Sequence, residues 1–286
     1  MRVAYLGPPG TFTEDALREA IGDEQVESLP KPTVYAAITA VQSDDADRAL
    51  VPFENSIEGA VSATLDTLAF DAREVTIVGE HDLPIRHCLI ARRQMPLEEI
   101  AVVLSHPQAS AQCARFIREQ LPGAEVRAAS STADAVREVS EHDGPWAALG
   151  AASAARVYGA AVLRDGIEDE PDNVTRFVWV APTGTSAEGP SPWRTSLVFS
   201  ELGADRPGAL VEALQAFSDR DVNLTRIESR PLRRGLGRYM FFLDLEGSLE
   251  QGQVGEAIED LRGKAESVRI LGSYPVASAP GVPGRS

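Results

Sequence analysis

The sequence predicts an α/β chain with a second, smaller sandwich toward its C-terminal end. Through residue 169, short apolar runs of strand length alternate with helical patterns, as expected when strands and helices are layered together. A stretch rich in Ala, Gly, Ser, Thr and Pro at 181–192 breaks that pattern. Beyond it the order becomes strand–helix–strand–strand–helix–strand, the ferredoxin-like arrangement. With 286 residues, 43% hydrophobic and 24% charged, the chain has a soluble globular composition and room for two domains.

Taken in order, 2–6 is a short apolar strand and Gly7-Pro8-Pro9-Gly10 a tight turn. Thr11 and Glu14 have capping-box spacing, Ala16, Leu17, Ala20 and Ile21 give the helix an apolar face, and Gly22 stops it. This unit aims backbone N–H groups at whatever lies above the strand, which suits an anion, although neither GxGxxG nor GK[ST] is present. The alternative is a plain strand-to-helix turn. A weak strand at 26–29 and a helix at 33–42 come next. The run 49–53 is a strand that Pro52 is expected to end. Glu54-Asn55-Ser56 leads to a helix carrying Ile57, Val61, Leu65 and Leu68, so Asn55 or Ser56 taken alone reads as an N-cap. Strands are expected at 75–78 and 85–90, the second long enough to bridge two lobes, and at 100–104.

Ser105-His106-Pro107-Gln108 precedes a helix over 109–120, with Gln112 and Cys113 on its first turns. Next are a strand at 125–129, a helix at 132–140 capped by Ser131 or Thr132, a strand at 146–149 and a helix at 152–158. They lead to Asp172-Asn173-Val174-Thr175-Arg176-Phe177, a polar cluster running into the strand Val178-Trp179-Val180. Ligands of such sheets lie beyond the carboxyl ends of strands. The polar clusters at 8–13, 54–56, 105–108 and 173–176 all fall at element junctions, so a shared cleft is the expected site. Past the linker, strands at 195–200, 222–231, 239–245 and 267–270 and helices at 205–217 and 254–261 complete the sandwich. The tail from 277 reads as disordered.

A net charge of −16 argues against non-specific binding to nucleic acid or an anionic membrane. It leaves room for a small anion held by backbone N–H groups and an Arg or two. Cys88 and Cys113 read as separate buried thiols, and histidines without HExxH or CxxC company predict no structural zinc. Met1 to Gly7 enters a strand directly, with neither a signal core nor transit composition, and no run reaches membrane-spanning length. The expected location is cytoplasmic.

Thr175 sets a hydroxyl beside the Arg176 guanidinium, a pair able to grip an anion and assist a departing oxygen, or else a strand end with a surface Arg. The segments Gly7-Pro8-Pro9-Gly10-Thr11-Phe12, Val51-Pro52-Phe53-Glu54-Asn55-Ser56 with Gly59, Ser105-His106-Pro107-Gln108 with Gln112-Cys113, and Asn173 to Phe177, in this order, resemble the prephenate dehydratase family. That family turns prephenate into phenylpyruvate, water and carbon dioxide. Gly208-Ala209-Leu210-Val211 and Glu228-Ser229-Arg230-Pro231 resemble the two phenylalanine-binding motifs of an ACT regulatory domain.

The resemblance covers residues 1–272. It implies a catalytic domain over 1–181, of two lobes similar to type 2 periplasmic binding proteins with the site between them. It also implies a linker at 182–193, an ACT domain over 194–272 and a flexible tail at 273–286. Thr175 is implied as the central catalytic residue, supported by Asn55, Ser105 and Gln112, with Thr11, Phe12, Ser56, Arg176 and Phe177 around the substrate. The implied protein is a carbon–oxygen lyase of phenylalanine biosynthesis that uses no cofactor or metal. It forms a homodimer or homotetramer, and phenylalanine binds where ACT domains meet, through the two motifs with Asn223 and Leu224. No chorismate mutase segment precedes the first strand, so the chain reads as monofunctional.

In that reaction the ring becomes aromatic as it loses a hydroxyl and a carboxylate, so the driving force lies in the substrate. A Thr hydroxyl is a very weak acid, and the expected role of Thr175 is to stabilise charge on the departing oxygen. Asn55 and Gln112 orient neutral polar groups. Arg176 and helix N-termini near Thr11, Ser56 and Ser105 are expected to supply positive potential. The ring carboxylate must leave as carbon dioxide, so Arg176 either favours the side-chain carboxylate or is structural. His106 is expected to orient its loop, and Glu54 is an alternative acid. Asp205-Arg206-Pro207-Gly208 lets backbone approach a ligand closely. Two readings compete with this one: an arogenate dehydratase, and a non-catalytic two-lobed binding module with a sensor domain, which an export signal would have favoured.

Overall fold

The computed structural model describes residues 1–202 and 206–277. Asp205, in the expected ligand-approach turn, and the tail beyond 277 lie outside the described residues.

The first lobe is built from β1 (Arg2–Leu6), β2 (Glu27–Lys31), β3 (Arg48–Asn55), the short β4 (Gly59–Ala60) and β5 (Val75–Pro84), with α1 (Phe12–Ile21), α2 (Val34–Gln42) and α3 (Ser62–Asp66). The second holds β6 (Cys88–Ala91), β7 (Val102–Ser105), β8 (Glu125–Ala128), β9 (Trp146–Gly150) and β10 (Ala161–Asp165), with α4 (Pro107–Gln112), α5 (Ala114–Gln120), α6 (Thr132–Glu141) and α7 (Ala152–Tyr158). β11 (Val174–Pro182) then returns to the first lobe between β3 and β5, giving the orders β5-β11-β3-β1-β2 and β10-β6-β9-β7-β8. The chain thus crosses between lobes twice, at 85–87 and 166–173.

Local chemistry explains most boundaries. Thr11 caps α1 by accepting from the Glu14 amide, and the Glu14 carboxylate reaches back to the Gly10 N–H at 2.6 Å. Thr33 and Ser131 cap α2 and α6 in the same way. Gly22 ends α1 at φ +55.

Four expectations fail, each for a physical reason. Pro52 does not end its strand. β3 runs on to Asn55 because the β3–β11 register slips between Arg176 and Phe177, leaving Phe53 as the extra residue of a bulge beside the proline. The helix expected from Ile57 begins only at Ser62, because Asn55 caps a turn instead: its Oδ1 accepts from the amides of Ile57 and Glu58 at 3.0 Å each. The bridge between lobes is not a strand over 85–90. β5 extends to Pro84, and residues 85–87 link it to β6. The helix expected over 109–120 breaks at Cys113, where the Asp169 carboxylate takes the Arg115 amide at 3.0 Å and starts a second helix.

The C-terminal sandwich comprises β12 (Trp193–Ser200), α8 (Ala209–Ser218), β13 (Leu224–Pro231), β14 (Tyr239–Glu246), α9 (Gly252–Arg262) and β15 (Ser267–Pro275), with strand order β13-β14-β12-β15. β15 continues past the expected boundary at 272, so 273–275 is strand and not tail. Alternation along the strands divides two faces. Leu197, Phe199, Leu243 and Leu245 pack under α8 and α9 against Phe217, Val254 and Ile258. Val198, Met240, Phe242 and Tyr274 turn the other way and join the first-lobe core with Phe53, Leu65 and Leu68. β15 also bridges β5 at Gly272 and Ile77, where a Cβ on Gly272 would lie 2.1 Å from the Ile77 carbonyl oxygen. Only glycine allows that approach, and it lets the sandwich continue the first-lobe sheet.

Candidate active site

A crevice of about 830 Å³ opens between the lobes. β1 and the start of α1 bring Thr11 and Phe12 to it, β3 brings Asn55, β11 brings Thr175 and Phe177, and α4 brings Gln112. The β3–β11 register sets Thr175 opposite Asn55, and the Asn55 amide Nδ2 donates to Thr175 Oγ1 at 2.9 Å. Nδ2 also donates to Asn173 Oδ1 at 2.7 Å, and Asn173 Nδ2 donates to Gln112 Oε1 at 3.1 Å. Gln112 Oε1 lies 3.0 Å from His87 Nε2. One hydrogen-bonded chain therefore runs from Thr175 on the first lobe to Gln112 on the second.

Thr175 accepts from Asn55, and among the described residues nothing accepts its own hydroxyl hydrogen. Thr175 is buried yet lines the crevice, so that hydrogen is available to a ligand. His87 is buried, with the Phe12 ring edge-on at 5.2 Å. Burial pushes its pKa below the ordinary value, favouring neutral imidazole, against its hydrogen bond to Gln112 and the nearby Glu168 carboxylate. The crevice wall is largely uncharged, and Lys31 is the one lysine or arginine among the described residues that line it. No group of three or more His, Cys, Asp or Glu among the described residues could hold a metal ion. No helix among them is long and apolar enough to cross a membrane.

Several expected site residues lie elsewhere. Arg176 follows Thr175 in a strand, so it faces the opposite side of the sheet. There it binds Asp244 Oδ2 at 2.5 Å, Glu54 Oε2 at 2.7 Å and Glu80 Oε2 at 3.3 Å, away from the crevice. The same alternation removes Glu54 as an acid. Ser56 is exposed outside the crevice and accepts from the Val174 amide at 3.0 Å; it stands in a turn, not at a helix start. Ser105 ends β7 fully buried, 3.5 Å from the Leu149 carbonyl oxygen, and does not line the crevice. His106 does line the crevice, and it caps α4 by accepting the Gln108 amide at 3.3 Å. Sequence reasoning missed Asn173 and His87 as site residues. Asn173 stood inside the quoted motif; for His87 the only signal was its place on the crossing segment.

The lobes also touch through α7. Ser153 donates to Asp15 at 2.7 Å and Tyr158 to the Pro9 carbonyl at 2.7 Å. In the sandwich, Gly208 starts α8 at φ +85, and Val211 on its first turn is exposed. β13 carries Leu224 and Glu228 to Pro231 along the outer edge of the sheet, with Asn223 just before it. Arg230 is already engaged, its guanidinium forked onto Asp66 at 3.1 and 2.8 Å.

These features define a two-lobed α/β catalytic unit whose crevice offers a neutral hydroxyl donor, with a regulatory-type sandwich seated on one lobe. Comparison with known proteins makes the class specific. The family description "Prephenate dehydratase" matches residues 3–185, and "ACT domain" matches residues 199–263. The chain belongs to the prephenate dehydratase family. It is 41% identical to a prephenate dehydratase of Mycobacterium sp. (strain JLS) over 302 aligned positions, covering 99% of this chain and 91% of that one. The crystal structure of prephenate dehydratase from Arthrobacter aurescens in complex with L-Phe is similar with a TM-score of 0.88 at 39% identity, covering 96% of this chain and 90% of that one. A structure described as GqqA, a novel type of quorum quenching acylase, is similar with a TM-score of 0.84 at 31% identity, covering 97% and 98%.

Proposed function

We propose that this chain, as a carbon–oxygen lyase of the cytoplasm, converts prephenate into phenylpyruvate, water and carbon dioxide in phenylalanine biosynthesis. The bond from the ring to its carboxylate breaks and its electron pair enters the ring. The ring C–O bond breaks with its pair on oxygen, and one proton taken up there yields water. The Thr175 hydroxyl carries this reading: Asn55 fills its acceptor side, so its hydrogen faces a departing oxygen without competition. Stabilising charge where it develops is the largest service such a site can give. The α1 amides and Lys31 favour the substrate's side-chain carboxylate. A crevice wall whose one cation among the described lining residues is Lys31 leaves the ring carboxylate loosely held, which suits its departure as carbon dioxide.

The proposed division is a catalytic unit at 1–181, a linker at 182–193 and an ACT domain from 194. Phenylalanine binds where two ACT domains meet, near Gly208 to Val211 and Glu228 to Pro231, in a homodimer or homotetramer. The test is phenylpyruvate formation from prephenate by the purified protein, with and without phenylalanine and beside arogenate. Turnover of prephenate that phenylalanine alters is expected; no turnover overturns the enzyme, and preference for arogenate changes its substrate. The acylase neighbour motivates one more arm. An acylase with Thr175 as nucleophile needs a base on that hydroxyl, and among the described residues no group accepts its hydrogen, so no release of acid from an N-acylated compound is expected.

A further inference from the structure

We infer that Asn173 is a positioning residue that sets the hydrogen-bond direction of the whole crevice, and through it the face that Gln112 turns to the substrate. The inference rests on the dehydratase reading of this site and deepens it.

The direction is set by two backbone amides. The N–H groups of Ile57 and Glu58 can only donate, and both reach Asn55 Oδ1 at 3.0 Å. Asn55 must therefore turn its NH₂ the other way, where one hydrogen serves Thr175 Oγ1 at 2.9 Å and the other Asn173 Oδ1 at 2.7 Å. The oxygen of Asn173 being thus fixed, its NH₂ must face Gln112 Oε1, at 3.1 Å. That oxygen can only accept, so the ring nitrogen of His87 at 3.0 Å must carry hydrogen, and neutral His87 is the Nε2–H tautomer. The unpartnered Nδ1 of His87 agrees with that assignment. Gln112 Oε1 then has two donors, while its NH₂, with no partner among the described residues, is free for the anionic substrate in a crevice that Gln112 lines.

Among the described residues, Asn173 is the side chain that links Asn55 to Gln112. It is buried, it lies on the segment that crosses between lobes, and its own carbonyl takes the Ile85 amide of the other crossing at 2.8 Å. An acid of the same shape would keep the bond from Asn55 and lose the donor to Gln112. Gln112 would then turn over, giving its NH₂ to residue 173 and its carbonyl to the substrate. His87 would have to accept at Nε2 and move its proton to Nδ1.

The test is Asn173→Asp, read by kinetics and by the nitrogen-15 shifts of the histidine rings in selectively labelled protein. The wild type should show His87 as the Nε2–H tautomer, and Asn173→Asp as the Nδ1–H tautomer. The variant's kcat/KM for prephenate should fall about 100-fold near neutral pH, the scale of losing a donor to a charged group and facing the charge with an acceptor. It should recover as pH falls and the new carboxyl gains a proton to donate, a slope the wild type lacks. An Nδ1–H tautomer in the wild type overturns the inference, and that measurement needs neither the variant's folding nor turnover. An unchanged tautomer in Asn173→Asp, or a loss of activity that low pH does not rescue, overturns it too. Absence of prephenate turnover in the wild type removes the dehydratase reading separately, while the tautomers still decide the hydrogen-bond direction.

Discussion

Thr175 and Arg176 are neighbours in β11 whose side chains serve opposite faces of one sheet: the hydroxyl meets Asn55 in the crevice at 2.9 Å, and the guanidinium meets Asp244 of the C-terminal sandwich at 2.5 Å. The family-like hexapeptide therefore encodes two functions at period two, one toward the ligand and one toward the regulatory unit. Asp244 is fully buried and also receives Arg226 Nε at 2.9 Å and Ser196 Oγ at 2.6 Å.

Removing the Thr175 hydroxyl should lower kcat far more than it changes KM. With one Asn55 hydrogen deprived of its acceptor and the departing oxygen unassisted, Thr175→Ala should lose about 10²–10³ in kcat. Thr175→Ser keeps the oxygen that Asn55 addresses and should recover most of the loss. Initial rates with prephenate decide it, and a rise in KM with kcat unchanged would make Thr175 a binding contact only.

The Arg176 cluster gives a pH prediction. Burial by itself would raise the Asp244 pKa, but Arg226 and Arg176 outweigh it and hold this carboxyl well below its usual range. Arg176 shows the counterpart: burial opposes its charge, and Asp244 chiefly, with Glu80 among the lesser contributors, holds it on. A depressed folded-state pKa stabilises the protein above the unfolded value, near 4, and that stability is lost as pH falls toward the folded value. Asp244→Asn should therefore cost about 3–5 kcal/mol at neutral pH, because it strands the buried Arg226 guanidinium and takes one of three carboxylates from Arg176. Its urea midpoint should also change less than that of the wild type between neutral pH and pH 3.

Much of this architecture is legible in the residues. The strand at 2–6 and the helix at 152–158 fall where the sequence pattern puts them, as do the caps Thr11 and Ser131. What periodicity misses is tertiary. A bulge at Phe53 lets a strand pass a proline, and Asn55 prefers a turn to a cap because Thr175 and Asn173 lie across the register from it. At the site, Thr175, Asn55 and Gln112, grouped in advance, line one crevice. Residue types could not place Arg176 or Ser105, since which face a strand residue takes depends on what packs there, and the sandwich packs on the face of Arg176.

The close contact between lobes predicts a graded pair of glycine variants. Gly10 has φ +84, and a Cβ there would lie 3.0 Å from Ala154 Cα on α7. Gly22 has φ +55 with nothing within 4 Å. Each substitution to Ala should cost about 1–2 kcal/mol for the left-handed backbone. Gly10→Ala should cost more, and should also raise KM by displacing the second lobe. Equal urea midpoints for the two variants would show that the lobes yield freely.

Both thiols should be inert in the folded protein. Burial pushes Cys88 up to about 12, aided by its contact with Asp165, and pushes Cys113 up to about 12. Labelling with a thiol-reactive dye at pH 8 should be slow for the native protein and fast in denaturant. Rapid labelling of the native protein would mean that the second lobe opens readily around β6 and α5.

The outer edge of the sandwich should govern assembly. β13 ends the sheet order, so one side of its backbone is unpaired, and Ile227 stands 49% exposed on it beside the family's second phenylalanine motif. Unpaired edges invite a second chain, and a lysine on such an edge opposes pairing. If two copies meet along this edge to hold phenylalanine between them, Ile227→Lys should shift sedimentation toward the single chain and weaken the response of turnover to phenylalanine together. The catalytic crevice lies on the other lobe face, so prephenate turnover without phenylalanine should persist. Loss of the phenylalanine response with an unchanged mass would place the amino acid within one chain instead of between two.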